Sequence, residues 1–507
     1  MNKSPAIGGR WWRRSPPTGR ARRAPGRALA LAVGAIVALA FPAPSWWWLA
    51  WVGVVPLLLV VRAAPTACEG GVRAWFGLAG FIFATQYWLL PSAGPLLALG
   101  GILLGAFWVP WGWAAHQLFS TPVTLRRVVL AALVLPSAWV IAEAARSWQR
   151  LGGPWALLGA SQWNQPVTLA SASVGGVLLT SFLIIAVNSG VAGLLLSPDV
   201  SCRIAAVGVA LVCAAIGPAW FLLAPAPAAG PTVPVALVQV GNIVDSTARE
   251  KAGEQLTATL AGRRLNLVVW GESSVGVDLA AHPEVMTRLT GLSRQLGAHL
   301  LVNVDAPSLG GGIYKSSVLI GPGGPTGSYQ KTRLVPFGEY VPLRQLLGPI
   351  IRHTKAAAED RRRGSGPVVL HADSLSIGPL ISYETTFSDL ARRVAQLGAD
   401  MLVYQSSTST FQGTWAQPQL ASQTAVRAVE VGRPAVQAAT SGDCAAFNAR
   451  GQELAWSPPS YRGATVVDVP LASGTTVYQR FGEWVVAVAV AILAAAAVTA
   501  ALRSHTR

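Results

Sequence analysis

Three polar clusters in the second half of the chain each follow a short apolar run, and their residue types could share one reaction. Leu267-Val268-Val269 leads into Trp270-Gly271-Glu272-Ser273-Ser274, which puts a carboxylate at the end of a buried run. Tyr329-Gln330-Lys331-Thr332-Arg333-Leu334-Val335-Pro336-Phe337-Gly338-Glu339-Tyr340-Val341-Pro342 offers a cation, a tight turn and a second acid. Leu380-Ile381-Ser382-Tyr383-Glu384 ends an apolar run on a hydroxyl, with an acid two residues on. A base, a cation and a nucleophile at successive strand ends make an acyl-transfer set. The acid takes the nucleophile's proton, the ammonium stabilises an oxyanion, and the nucleophile holds the acyl group. Taken singly, each residue has an ordinary role: a loop carboxylate, a solvated lysine, a serine capping the next helix. Their joint order favours the catalytic reading.

The elements that must position these residues follow from the pattern. Pro225-Ala226-Pro227-Ala228-Ala229-Gly230-Pro231 reads as a linker, after which short strands alternate with helices. Strands are expected at 233–240, 265–270, 299–304, 317–320, 368–371, 377–382, 401–405, 435–439, 444–448 and 465–469. Helices are expected near 246–264, 283–297, 385–397 and 418–433. About 240 residues of this kind suit one α/β domain with a sizeable core.

The first half is different. Hydrophobic residues make up 52% of the 507 and charged residues 12%, with a mean hydropathy of +0.45, so much of the chain must lie in lipid. Residues 1–232 hold 15 Lys/Arg against 3 Asp/Glu, and 16 of the 20 Trp, as expected where indole rings anchor spans at the headgroup level. Apolar runs at 28–43, 46–61, 74–92, 95–115, 128–145, 168–196, 204–224 and 484–502 make about eight spans. The arm 1–27 carries Lys3, Arg10, Arg13, Arg14, Arg20, Arg22, Arg23 and Arg27 and no acid, which places it in the cytoplasm. Seven spans then put the linker 225–232 and the domain 233–474 outside, and the last span returns the tail 503–507 to the cytoplasm. Residues 1–40 have a second reading as a cleaved signal peptide ending Ala38-Leu39-Ala40. The apolar run resuming at Trp46-Trp47-Trp48 favours an uncleaved first span. Glu143, Arg146 and Arg150 fall where the fifth span ends, before Gly152-Gly153-Pro154-Trp155. Charges at that level either snorkel to the headgroups or serve a site. The basic excess is mostly topogenic, so nucleic acid is not an expected partner. Cys68, Cys202, Cys213 and Cys444 are scattered without metal or disulfide spacing.

At these motifs the chain resembles the apolipoprotein N-acyltransferase family, whose members carry seven spans, an extracytoplasmic carbon–nitrogen hydrolase (nitrilase-like) domain and a final span. The string K-x-[HR]-L-V-P-F-G-E-[YF]-V-P fits Lys331 to Pro342 throughout. Gly153-Pro154-Trp155 with Leu158-Gly159, and Arg427-Ala428-Val429-Glu430-Val431-Gly432-Arg433-Pro434, resemble two further family segments. The resemblance implies an αββα sandwich on the outer face of the cytoplasmic membrane. It also implies a reaction: an acyl chain passes from a phospholipid to the nucleophile, then to the α-amine of a lipoprotein's diacylglyceryl-cysteine. By motif position Glu272 is the general base, Lys331 the oxyanion-side cation and Ser382 the nucleophile, with Glu339, Tyr383 and Glu384 in support. No metal or cofactor is implied.

The pattern departs from the family at its centre, because the family's nucleophile is Cys and this chain has Ser382. A thiol ionises near pH 8.5, and a gap of about 5 units to a hydroxyl is worth roughly 7 kcal/mol. Ser nucleophiles depend on a strong base partner, usually His or Lys, and Lys331 could take that part. The family's Tyr-Asn-Ser reads Tyr314-Lys315-Ser316, its Asn-Asp-x-Trp-Phe-Gly stretch reads Ser406-Ser407-Thr408-Ser409-Thr410-Phe411, and its Gln-His pair reads Gln419-Leu420. The Trp expected after the first strand is absent from Asp245-Ser246-Thr247-Ala248. Cys444 is expected to be a small core residue. Three functions therefore compete. One is a serine-dependent N-acyltransferase. Another is a silent paralogue acting as a membrane scaffold, for which the resemblance offers a polyprenol-phosphate mannose synthase as partner. The third is a membrane-tethered amidase. The first is preferred.

Overall fold

A computed structural model describes residues 23–120, 122–308, 311–341, 344–347 and 360–505. Most of the basic arm, Pro342 of the motif string and the last two residues of the tail lie outside the described residues. The apolar runs form helices because nothing in lipid competes for their backbone N–H and C=O groups. Among the described residues five are long and apolar enough to cross a membrane: Pro95–Phe119, Leu125–Arg146, Ala172–Leu196, Val200–Leu223 and Trp484–Arg503, while Ala24–Ala40 and Trp47–Arg62 are shorter. The 20-residue helix Ala67–Gln86 starts at a Thr66 cap and buries Glu69, which pairs with Arg27 at 2.6 Å. On Val200–Leu223 the side chains of Ile204, Leu211, Leu222 and Leu223 are exposed, a lipid-facing stripe by composition.

Two features of this bundle matter for the site. The expected run 168–196 is broken, because Gly175 and Gly176 leave helical geometry within Ala172–Leu196. The Val177 N–H freed by the break donates to Glu430 Oε1 at 2.8 Å, so a membrane helix is fastened to the α/β domain. Glu143 and Arg146 do not snorkel: both are buried. Glu143 Oε1 accepts from the Leu158 N–H (2.7 Å) and Arg146 Nη2 donates to the Ala156 carbonyl (3.1 Å), which fixes the segment after the fifth apolar run.

Among the described residues the α/β domain has twelve strands: β1 (Ala228–Gln239), β2 (Leu267–Trp270), β3 (His299–Pro307), β4 (Ile313–Gly321), β5 (Gly324–Gln330), β6 (Leu370–Ala372), β7 (Leu375–Ile381), β8 (Met401–Ser406), β9 (Ala435–Ala439), β10 (Cys444–Phe447), β11 (Glu453–Ser457) and β12 (Gly463–Ser473). They form two six-stranded sheets, ordered β12-β1-β2-β3-β4-β5 and β11-β10-β9-β8-β7-β6. Between the sheets lies a core of Val235, Leu237, Leu267, Val269, Ile377, Met401, Val403 and Val436. Helices Ser246–Ala258 and Pro283–Leu296 cover the first sheet through a second core. Helices Ser388–Gln396 and Ala416–Val431 cover the other, and their apolar faces are continuous with the membrane helices. The layers are α, β, β, α.

Three expectations are corrected. Half of the expected linker is strand, since Ala228 and Ala229 pair with Ser473 and Ala472. The register shift before Thr232 accommodates Pro231, which has no N–H to give a ladder. β5 and β11 were not expected. Gly324-Pro325-Thr326-Gly327-Ser328 has no apolar alternation, and pairing with β4 holds it extended. Glu453–Ser457 is a partly exposed edge beside β10. Cys444 is buried in the inter-sheet core, where burial pushes its thiol up to about 12.

Candidate active site

The parallel strands β1, β2 and β3 in one sheet and β7, β8 and β9 in the other end in the same region, which is where open α/β sheets carry sites. β2 delivers Glu272 through Gly271, where the two sheets nearly touch: a Cβ there would lie 2.1 Å from the Thr440 nitrogen. The Glu272 N–H donates to the Ser406 carbonyl (3.0 Å) and its carbonyl accepts from Thr440 Oγ1 (2.8 Å), so Glu272 is anchored on the opposite sheet. Its side chain is 3% exposed.

Lys331 follows β5 and is 1% exposed. Its ammonium donates to Glu339 Oε1 at 2.9 Å and to Glu272 Oε1 at 3.4 Å. Glu339 is brought back by the Pro336-Phe337-Gly338 turn, and its Oε2 accepts from the Val335 N–H at 2.8 Å. Against the penalty of burial, Lys331 and Lys315 hold the Glu339 carboxyl well below the usual carboxylate range.

Ser382 caps β7 with φ +52°, a left-handed backbone that a residue with a Cβ adopts at a cost. Ser273, beside Glu272, and Phe337, two residues before Glu339, are also left-handed, so strain gathers around the cluster. Among the described residues nothing hydrogen-bonds to Ser382 Oγ; the serine is placed by Glu384. Glu384 Oε1 accepts from Tyr329 Oη (2.8 Å), the Thr332 N–H (2.8 Å), Thr332 Oγ1 (2.8 Å) and the Arg333 N–H (2.9 Å), and Oε2 accepts from the Ile381 N–H (2.8 Å). One carboxylate thus holds the backbone just after Lys331 against the backbone just before Ser382. Burial pushes the Glu384 carboxyl above its ordinary value, opposed by Lys331 and by the Arg333 and Ile381 N–H groups.

The membrane half reaches this elbow directly. Gly153 has φ +72° and lies against Tyr383, whose hydroxyl would be 2.2 Å from a Cβ at 153. Tyr383 is buried, stacks edge-on with Phe387 at 4.9 Å, and its hydroxyl has no partner among the described residues. Gln149 Nε2 donates to the Leu334 carbonyl (3.2 Å). Trp155 and Trp88 both donate to Gln419 Oε1, at 2.8 and 3.3 Å, and their rings lie 4.9 Å apart with Phe411 beyond. These rings form an aromatic seam between the apolar-helix half and the α/β domain.

The structure therefore joins Glu272, Lys331 and Glu339 in one ion cluster, and Glu384 ties the segment after Lys331 to the strand end that carries Ser382 and Tyr383. Sequence reasoning missed one member. Lys315 is directly opposite Lys331, because the β4–β5 register pairs Ser316 with Gln330 and the Lys331 N–H continues it to the Lys315 carbonyl (2.9 Å). Asp305 on β3 completes the row opposite Lys315. The Lys315 ammonium lies 2.6 Å from Glu272 Oε1, 3.1 Å from Glu339 Oε1 and 3.7 Å from Asp305 Oδ2. Against burial, those three carboxylates hold it well above the ordinary lysine value. Without β5 in the strand assignment, no register pointed to Lys315. Among the described residues no group of three or more His, Cys, Asp or Glu is placed to hold a metal ion.

The carbon-nitrogen hydrolase family model matches residues 234–479, and that of the apolipoprotein N-acyltransferase N-terminal domain matches residues 33–190. The apolipoprotein N-acyltransferase of Azotobacter vinelandii is 30% identical over 513 residues, covering 91% of this chain and 92% of that one. That of Geobacter metallireducens is 29% identical over 506 residues, 94% of each. Among solved structures, an amidase from Nesterenkonia sp. aligns with a TM-score of 0.36 and 19% identity, over 48% of this chain and 91% of that one.

Proposed function

The chain belongs to the apolipoprotein N-acyltransferase family, and we propose that it N-acylates apolipoproteins through a serine ester. Glu272 accepts the Ser382 hydroxyl proton as Oγ attacks an ester carbonyl of a phospholipid. The oxyanion forms beside the Lys331 ammonium, and collapse expels the lysophospholipid alkoxide, which takes the proton from Glu272. The α-amine of a diacylglyceryl-cysteine then attacks the Ser382 ester. Its proton passes to Glu272, Ser382 leaves and recovers that proton, and an amide has replaced an ester. Glu339 and Glu384 hold Lys331 and the elbow, and Tyr383 packs the elbow against the membrane half.

The observation that supports this most directly is the Glu384 staple, which joins the backbone just after Lys331, at Thr332, to the backbone just before Ser382, at Ile381, while Lys331 itself bonds Glu272. The aromatic seam at Gln419 supports a lipid donor, since an acyl chain needs an apolar entry. In this reading about eight spans hold the protein in the cytoplasmic membrane, both termini are cytoplasmic, and the 233–474 domain faces outward. The scaffold reading with a mannose synthase gains no support from the site or the relatives. The test is transfer from phosphatidylethanolamine to a diacylated lipopeptide, read by lipopeptide mass. Wild type is expected to add one acyl chain, and Glu272→Gln and Ser382→Ala to add none. Transfer that persists in Ser382→Ala, or turnover of a soluble amide without phospholipid, would contradict the proposal.

A further inference from the structure

Two carboxylates and two ammonium groups form a closed ring at the site: Glu272 and Glu339 each offer Oε1 to both Lys315 and Lys331, at 2.6 and 3.4 Å and at 3.1 and 2.9 Å. The ring is uneven. Lys315 is the close partner of Glu272, and Lys331 is close only to Glu339. A contact of 3.4 Å is near the outer limit of a hydrogen bond, so Lys331 is only loosely engaged by the base. Were Lys315 neutral, Lys331 would be the single ammonium between two buried carboxylates, and the shortage of positive charge would draw it onto Glu272.

We propose that Lys315 is a positioning residue for this reaction: it serves as the counter-ion of Glu272, and so leaves the Lys331 ammonium free to meet the acyl oxyanion. The inference rests on the acyl-transfer reading above. It also addresses the serine. A hydroxyl nucleophile needs an ionised base and a cation at the oxyanion, and two carboxylates held by a single ammonium would compete with the oxyanion for its three N–H groups. The row Asp305–Lys315–Lys331 across β3, β4 and β5 divides the two tasks between two lysines. Lys315 stays protonated because three carboxylates face it, so it acts as a fixed charge and not as a base. The other charged groups around the ring are Arg361, paired with Asp305 at 3.1 Å; Arg249, which donates to the Ser273 carbonyl at 2.7 Å; and Glu384 and Arg333 on the elbow side, with the phenols of Tyr383 and Tyr340.

The test uses full-length detergent-purified protein and two readouts. In a Ser382→Cys background, the rate of iodoacetamide alkylation at position 382 against pH reports the local charge without any transfer reaction. Adding Lys315→Met is expected to raise the alkylation inflection by at least one pH unit, because a cation is lost and three carboxylates remain. Adding Lys315→Arg is expected to leave it within 0.3 units, which separates charge from packing. In the Ser382 protein, Lys315→Met is expected to lower transfer at pH 7 at least tenfold with the KM for lipopeptide unchanged, as removal of an oxyanion donor does, and to move the acid limb of the rate profile to higher pH. An inflection moved by less than 0.3 units together with transfer within twofold of wild type would overturn the role of Lys315 alone. A Ser382→Cys protein that resists alkylation at position 382 at every pH up to 10 would overturn both this inference and the serine-ester reading.

Discussion

Replacing Glu384 by Gln keeps the shape of the side chain and removes the carboxylate that ties the Lys331 segment to the backbone just before Ser382. The carboxylate accepts five hydrogen bonds, four on Oε1 and one on Oε2. An amide has one acceptor oxygen. If that oxygen faces the Tyr329, Thr332 and Arg333 donors, the NH₂ group faces the Ile381 N–H, donor against donor. One charge-assisted bond is lost, at about 1.5–3 kcal/mol, and a buried N–H is orphaned, at about 1–3 kcal/mol, so stability should fall by about 2.5–6 kcal/mol. The elbow then swings away from Lys331, and a displacement of ~1 Å between reacting groups lowers the rate by ~100-fold. Thermal unfolding in detergent and the lipopeptide assay measure the two quantities on one preparation. A Glu384→Gln protein within ~1 kcal/mol and threefold of wild type would refute the idea that this carboxylate positions the nucleophile.

Two further predictions follow from strain and from burial. Ser382→Gly is expected to be more stable than Ser382→Ala by ~1 kcal/mol, because both lack the hydroxyl and only glycine adopts φ +52° without a Cβ clash; equal unfolding midpoints would argue against strain at the elbow. Burial pushes the Glu430 carboxyl from 4.5 up to about 7, against the pull of Arg427. A carboxyl raised in the folded state contributes most below its unfolded value, so stability should fall as the pH rises from 4.5 to about 7 and then level off. Glu430→Gln should flatten that slope, and a slope unchanged in the variant would exclude Glu430 as its source.

Much of the site was legible because a parallel strand announces its end. Leu267-Val268-Val269 and Leu380-Ile381 are continuous apolar runs, buried on both faces, and the first polar residue after each must lie at the sheet's rim. That is why the residue pattern alone places Glu272 and Ser382 just past strand ends. Lys315 was hidden for the converse reason. It lies on the outer, antiparallel side of the sheet, its partner strand β5 is rich in Gly and Ser, and only the register of that hairpin sets it beside Lys331. The Glu384 staple was equally invisible, since five donors converge on it, four of them from segments about fifty residues away in sequence. In the membrane half, composition located the apolar runs but not the break at Gly175-Gly176, because mean hydropathy carries no information on a backbone held open by Glu430 from the other domain.

The central claim is that Ser382 carries the acyl chain. Its most direct test is peptide mass spectrometry of the full-length protein incubated with phosphatidylethanolamine and no acceptor. An ester-linked acyl group is expected on the peptide containing Ser382, absent in Ser382→Ala and discharged when diacylated lipopeptide is added. No acyl group on Ser382 in a preparation that still acylates the lipopeptide would contradict it.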